Sequence, residues 1–315
     1  MTFYRSFLWS IVGALVLCGL CSCYTVDRTK KIELTKSDLK SIAPSAEEQL
    51  LADIHGTALP NWLPGMRFQA TDDRALLLFS QEGMPADPTE AALGGKSLVY
   101  KGINTKLLPD GTEDIVLLFF DGDKTYQLST GKRRSELSNY LSTDIPMLVD
   151  IELIEALDSK LSGRQLWTRS ALWYNDKGER FQGDKFIAVR ILTIESGNAE
   201  FPVKIWFKDA EGRRSFYWMS FGRSAADSRP FASLFSITDP RLQYPDVEDN
   251  VWRLIQMGKV AQGMSKELCR LALGNPSEVT SGHDYSKLID IWTYPDGRVL
   301  RFEDGILEMY GMRRD

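Results

Sequence analysis

The side chains that most often carry acid–base, nucleophilic or metal chemistry are thinly spread along this sequence of 315 residues, which holds two His and four Cys. His55 and His283 stand apart, and neither belongs to an H-E-x-x-H pattern, so a His-rich metal site is excluded. Cys269 falls on the apolar side of a capped helix, whereas a reactive thiol needs exposure and a lowered pKa. "DGDKTYQLSTGK" opens like a calcium loop with Asp121 and Asp123, but Lys132 occupies the twelfth position, where the acidic ligand belongs. "GGKS" (Gly94 to Ser97) has Glu90 where a phosphate loop needs glycine, and "GRSAA" fails the last glycine of a nucleophile elbow. Glu152 and Glu155, like Asp246, Glu248 and Asp249, sit on helix faces or caps. Acids distant in sequence cannot be paired from sequence alone, so carboxylate chemistry stays open. No cofactor or metal is expected, and the first expectation is a protein that is not an enzyme.

Binding leaves a clearer trace. Trp167, Trp173, Trp206, Phe207, Tyr217, Trp218 and Phe221 crowd one part of the chain. In "RSFYWMSFG" strand alternation puts Phe216 and Trp218 on one face and Tyr217, Met219 and Phe221 on the other. Two apolar faces mean either a sheet buried on both sides or an exposed aromatic patch, which on an exported protein favours binding. Trp206, Tyr217, Trp218 and Phe221 are the candidate binding surface.

The elements that must hold such a surface follow from composition and pattern. At 43% apolar and 26% charged the chain is globular, and its length allows two or three domains. A net charge of −5 and a pI near 5.3 lack the basic footprint that nucleic acid demands. Residues 1–22 carry Arg5 and then an apolar run ending at Ser22. This is the layout of a secretory signal, a little short of the roughly 20 apolar residues of a membrane span. "LCSC" (Leu20 to Cys23) resembles a bacterial lipobox with Cys23 as the acylated residue. A plain signal peptide and an uncleaved anchor are the alternatives. With Cys23 taken by lipid (palmitate among its acyl chains), Cys269 has no partner, and core burial alone must stabilise the exported protein. Residues 23–43 read as a tether.

Beyond the tether, two stretches resemble each other, "LPGMRF" to "YQLSTG" and "LSGRQLW" to "YWMSFG". Each opens with Leu-x-Gly, carries Val-x-x-x-Phe (Val116/Phe120 and Val203/Phe207) and closes on a tyrosine strand (Tyr126, Tyr217), which reads as a tandem repeat. "EDIVLLFFDGDKTYQLS" and "FPVKIWFKDAEGRRSFYWMS" are hairpins, and "RALLLF" and "RSALWY" shorter strands. The expected architecture is α+β and mostly β: two small SH3-like barrels or bent sheets, then an αα-βββ domain. Its parts are β module 1 (44–134, opening with a helix capped by Ser45), a helical linker (135–160), β module 2 (161–222), a connector (223–245) and a terminal domain (246–315).

That terminal domain is the most fully marked. Val247, Val251, Leu254 and Ile255 give one helix face; Ser265 caps a second helix, with Met264 and Cys269 at the staple positions, ended by Gly274 and Pro276. "LIDIWTYPDGRVLRFEDGILEMY" gives three strands joined by Pro-Asp-Gly and Asp-Gly turns. Gly263, Met264, Ser265, Leu273, Gly274, Pro276, Trp292, Tyr294, Phe302 and Gly305 together resemble the BamE (SmpA/OmlA) domain, a small lipoprotein subunit of the outer-membrane β-barrel assembly machinery. The resemblance implies an αα-βββ scaffold for protein binding, with Met264, Trp292, Tyr294 and Phe302 holding it together.

The expectation is therefore a lipid-anchored envelope protein of a diderm bacterium, in its outer membrane. It would meet the membrane through the lipid on Cys23 and bind envelope protein partners, the β-barrel assembly machinery among them, but no nucleic acid. The alternative is a cell-wall or saccharide-binding lipoprotein using the aromatic second module.

Overall fold

The structure is a computed structural model that describes residues 44–80, 92–137, 145–221 and 228–313. The signal segment, Cys23 and the tether lie outside the described residues. The described chain is mostly β, in three antiparallel sheets with a few short helices.

After helix α1 (Ala46–Leu50), the first sheet contains β1 (Arg67–Ala70), β2 (Ser97–Leu107), β3 (Glu113–Phe120) and β4 (Thr125–Ser129). A one-turn helix α2 (Arg134–Leu137) precedes its last strand, β5 (Leu148–Asp150). Helix α3 (Ile151–Leu161) leads to β6 (Gln165–Thr168), the small hairpin β7 (Leu172–Tyr174) and β8 (Arg180–Gln182), and then β9 (Ala188–Ser196). β10 (Val203–Lys208) and β11 (Arg214–Met219) follow, then helix α4 (Phe231–Leu234) and β12 (Phe235–Ser236).

The first sheet runs β4-β3-β2-β1-β5 and the second β12-β6-β9-β10-β11-β7-β8. Without the inserted β7–β8 hairpin, the second sheet has the strand order of the first. The glycines of the two Leu-x-Gly turns do the same job in each copy: Gly65 N–H donates to Tyr100 O on β2, and Gly163 N–H to Ile191 O on β9, at 2.8 and 3.0 Å. The Val-x-x-x-Phe match, however, is one residue out of phase. Ile115, Leu117 and Phe119 face the first core while Val116 and Phe120 point away, whereas Val203, Ile205 and Phe207 all face the second core. A one-residue shift in a strand exchanges its two faces, so similarity of letters there does not mean similarity of position.

Four other expectations are corrected, one by a local cap and three by long-range contacts. "RALLLF" is a 3-10 helix (Asp73–Leu78) begun by Asp72, whose carboxylate accepts from Arg74 N–H at 2.8 Å. Within 135–160 the helix starts only at Ile151, because Leu148–Asp150 pairs with β1 and closes the first sheet. The connector 223–245 contains β12, which pairs with β6 and buries Phe235 completely. Finally, α1 packs with the second core, not the first: Leu50, Leu51 and Ile54 lie against it. The buried carboxylate of Glu47 accepts from Ile237 N–H (3.1 Å), Arg169 Nη2 (3.2 Å) and Ser236 Oγ (3.3 Å). The cap of α1 was legible: Glu48 N–H donates to Ser45 Oγ and Ser45 N–H to Glu48 Oε2, a reciprocal capping box.

The terminal region has helices α5 (Asp249–Gln256) and α6 (Lys266–Leu273) on a meander of four strands, not three. These are β13 (Glu278–Asp284), β14 (Lys287–Thr293), β15 (Arg298–Glu303) and β16 (Ile306–Met312). The additional strand β13 is exposed along its whole length and has no apolar alternation to announce it. Its ladder to β14 makes it a strand.

Candidate functional site

The aromatic residues of the second sheet divide between two environments. Tyr217 is in the core, donating its hydroxyl to Ser170 O at 2.5 Å, and burial holds its phenol well above the usual pKa. Phe221 is half-buried against the same core. Trp206, Phe216 and Trp218 lie on the opposite face with Tyr174, whose ring stacks on Phe216 at 5.3 Å and 19°. Lys204, on β10 among them, places its ammonium 4.2 Å from the Trp206 ring and 4.5 Å from that of Phe216. The Arg214 guanidinium lies 4.3 Å from Trp206, whose indole N–H donates to Glu195 Oε2 at 2.7 Å. Trp206 is therefore only 4% exposed. Of the four candidate surface residues, Trp206 and Tyr217 are buried, and Trp218 and Phe221 are half-buried. Lys204 and Arg214, drawn to the negative ring faces, already occupy the platform.

A second arrangement, which sequence reasoning missed, joins the second sheet to the terminal region. Lys185 Nζ donates to Leu271 O (2.7 Å) and Ala272 O (2.5 Å), two carbonyls at the C-terminal end of α6. A cation there satisfies orphan carbonyls and opposes the helix dipole. Lys185 N–H also donates to Gln256 O, and Gln256 Nε2 to Phe186 O. Burial, with some repulsion from Arg298, pulls the Lys185 pKa down to about 8. Phe186 has a φ of 57°, a positive value that is strained for a bulky residue. Its ring lies 5.7 Å from that of Trp252. Trp252, buried inside the helix–sheet junction, was absent from the expected helix face. Beside this junction is a cleft of about 440 Å³ lined by Trp167, Asp184, Arg213, Arg241, Trp252 and Gln256.

The motif residues of the terminal region serve as framework. Ser265 Oγ accepts from Leu268 N–H at 3.3 Å, and Gly274, at φ 85°, donates to Arg270 O to end α6. Met264, Cys269, Trp292, Tyr294 and Phe302 are all buried in one cluster. Tyr294 Oη donates to Gly274 O at 3.2 Å, and Lys266 N–H to Gly305 O at 3.1 Å, so the α6 ends and the last hairpin are tied together. Gly263 N–H donates to Leu307 O, and Pro276 follows the helix end half-buried. The two eight-residue helices cover only part of one face of the sheet, that of Trp292, Leu300 and Phe302. Val279, Leu288, Ile291, Met309, Tyr310 and Met312 remain exposed on it, Tyr310 at 56% and Met312 at 65%.

Several of the chemistry-bearing side chains are engaged in structure, while His55 and His283 are exposed. Burial pushes the Cys269 thiol up to about 12, far from a thiolate. Asp121 is partly buried, which by itself would raise its pKa. N–H donors from Lys124 and Asp123 with Tyr126 Oη and Lys96 Nζ outweigh this and bring it to about 2. It organises the β3–β4 turn. Asp150 caps α3, accepting from Glu152 N–H at 2.9 Å; burial and the neighbouring Glu152 carboxylate raise it to about 6. Glu152 and Glu155 both take the Arg67 guanidinium, which ties α3 to β1. Among the described residues no three His, Cys, Asp or Glu side chains group as metal ligands. Comparison with family profiles, curated proteins and solved structures gave no match for this chain.

Proposed function

We propose that this chain is a non-catalytic, lipid-anchored protein of the cell envelope that acts as a protein-binding scaffold, in outer-membrane assembly or envelope maintenance. The observation that carries the reading is the terminal sheet, whose Val279, Leu288, Ile291, Met309, Tyr310 and Met312 stay exposed while the aromatic face of the second sheet is covered by its own cations. Tyr310 and Met312 lie at one edge of the helix-bearing face, Val279 and Leu288 toward the other edge, and Ile291 and Met309 flank Arg301 on the opposite face. Exposed apolar side chains set among polar ones mark interaction sites. Two sheets of one strand order, each with a short helix before its closing strand, support two SH3-like modules. The helix pair on a meander, with the motif residues at its core, supports a BamE-like domain at the C-terminal side; the fourth strand departs from the αα-βββ expectation. Fold likeness by itself does not carry function, so the partner rests on the exposed sheet and on Cys23 as anchor.

The test is affinity purification of the tagged, membrane-solubilised protein after mild cross-linking. Recovery of the β-barrel assembly machinery is the expected result, weakened when Ile291 and Met309 are changed to Ser. Specific recovery of cell-wall fragments in its place would overturn the reading. Cys23→Ser is expected to release the protein from the membrane fraction; unchanged membrane retention would remove the lipid anchor. The saccharide reading keeps one observation in its favour. In the 440 Å³ cleft, the half-buried Trp167 makes no side-chain hydrogen bond among the described residues. Loss of glycan binding in Trp167→Ala, with folding kept, would favour it.

A further inference from the structure

The two edges of the terminal sheet are unlike. β13 is polar, with Glu278, Thr280, Ser281, His283 and Asp284, whereas β16 reads Ile-Leu-Glu-Met-Tyr-Gly-Met. Part of the β16 edge is already taken. Leu307 N–H donates to Met264 O and Gly263 N–H to Leu307 O, both at 2.8 Å, so the turn before α6 lies alongside the beginning of the strand. The later part is open. Arg313 N–H points inward, to Gly297 O at 2.7 Å, and Val299 and Arg301 of β15 face Gly311 and Met309. In an antiparallel ladder, inward and outward backbone groups alternate. Tyr310 and Met312 therefore direct both N–H and C=O away from the sheet. Proteins normally blunt such an edge with Pro, Lys or a covering segment. None of these stands at Met309–Met312 among the described residues.

The geometry points to a second copy of this chain as the occupant, paired through β16 about a twofold axis at Gly311. This names the partner for part of the surface on which the scaffold reading rests. The segment is self-complementary in that register. Tyr310 of one protomer meets Met312 of the other, and each pair exchanges two backbone hydrogen bonds. Gly311 faces its own copy at the axis, a pair in which side chains would approach closely, and it has none. The outward-facing residues share a sheet face with Leu300, the cross-strand partner of Tyr310, so two Tyr and two Met side chains meet on one face of a continuous eight-stranded sheet. In that register Met309 of each protomer stands opposite Arg313 of the other, so no like charges face each other over Met309–Arg313. A twofold contact of this kind closes on itself and goes no further. Pairing extends over Met309–Arg313 and stops where the Gly263–Ser265 turn holds Leu307.

The full chain, in detergent micelles, is to be examined by sedimentation velocity over a range of concentrations, with hydrogen exchange at the low and high ends. The expected result is a reversible dimer in which the amides of Tyr310 and Met312 slow about tenfold or more at high concentration, while exposed amides of β13 do not change. Met312→Lys puts a charge at the pairing edge, and Tyr310→Pro deletes an N–H that the internal ladder does not use. Both are expected to weaken the dimer at least about tenfold with the melting temperature of the monomer kept. A chain that stays monomeric at every concentration overturns the inference. So does a dimer that survives both variants, or one whose Tyr310 and Met312 amides exchange as fast as in the monomer. A monomer that still captures an envelope partner sinks only the dimer. A dimer that captures none sinks the scaffold reading and leaves the pairing intact.

Discussion

The first and second sheets share five strands in one order and differ in what joins the first strand of that frame to the second. In the first sheet the connection includes the 3-10 helix Asp73–Leu78, which buries Ala75. In the second it is the β7–β8 hairpin, which adds two strands beyond β11 and drives Trp173 into the core with no exposure at all. The same connection then supplies Lys185 and Phe186 to the terminal helices. The comparison teaches that the repeated frame is neutral, and that its insertion decides which edges are covered and what docks. The outer faces differ in the same sense. Among the described residues only the Lys101 ammonium lies over the Phe120 ring, at 5.1 Å, whereas Trp206, Phe216 and Trp218 surround Lys204.

Trp173→Ala should give the largest effect, about 3–5 kcal/mol by urea unfolding, since the ring is fully buried against Phe207 and Tyr217 and roofed by Gly183. A loss below about 1 kcal/mol, far under the usual cost of emptying a core position, would mean that the inserted hairpin is an ornament on the frame, and the contrast between the sheets would fail. Lys185→Met should cost about 1–3 kcal/mol, because two carbonyls at the α6 end lose their donor. It should also speed exchange in α6. The pH dependence carries a sign. With its folded pKa lowered from 10.5 to about 8, Lys185 binds fewer protons folded than unfolded between those values. Its contribution to stability therefore rises with pH across about 8 to 10.5, and that rise should be missing in Lys185→Met. A steeper rise in the variant than in the natural protein would show that the charge is not buried there.

The smallest effect is the sharpest comparison. Lys204→Met removes a cation held by several rings and should cost about 0.5 to about 2 kcal/mol. Lys101→Met, over the single Phe120 ring, should cost less than about 0.5 kcal/mol. Equal costs, measured as paired denaturation midpoints, would make the aromatic cluster mere packing.

Much of this was legible before any fold was known. The hairpins of β3–β4 and β10–β11 carry their alternation and turns within one window, and Ser45, Ser265 and Gly274 mark helix ends by chemistry that acts within a turn of the chain. The core roles of Met264, Trp292, Tyr294 and Phe302 were legible too. The aromatic candidates were half legible. Alternation separated Tyr217 from Phe216 and Trp218 correctly, yet nothing near them in sequence announces that Lys204 and Arg214 would lie across the outer rings.

By itself, then, the sequence determined what depends on neighbours along the chain: caps, tight turns, strand alternation, the apolar stripe of α6. Only the tertiary structure decided what depends on partners far away. β5 and β12 are two or three residues long and are strands because β1 and β6 stand beside them. α1 belongs to the second core because Glu47 finds its donors there, from residues nearly two hundred positions on. Lys185 caps a helix it does not belong to. The openness of Tyr310 and Met312 is of the same kind, since an edge is defined by the strand that is not beside it.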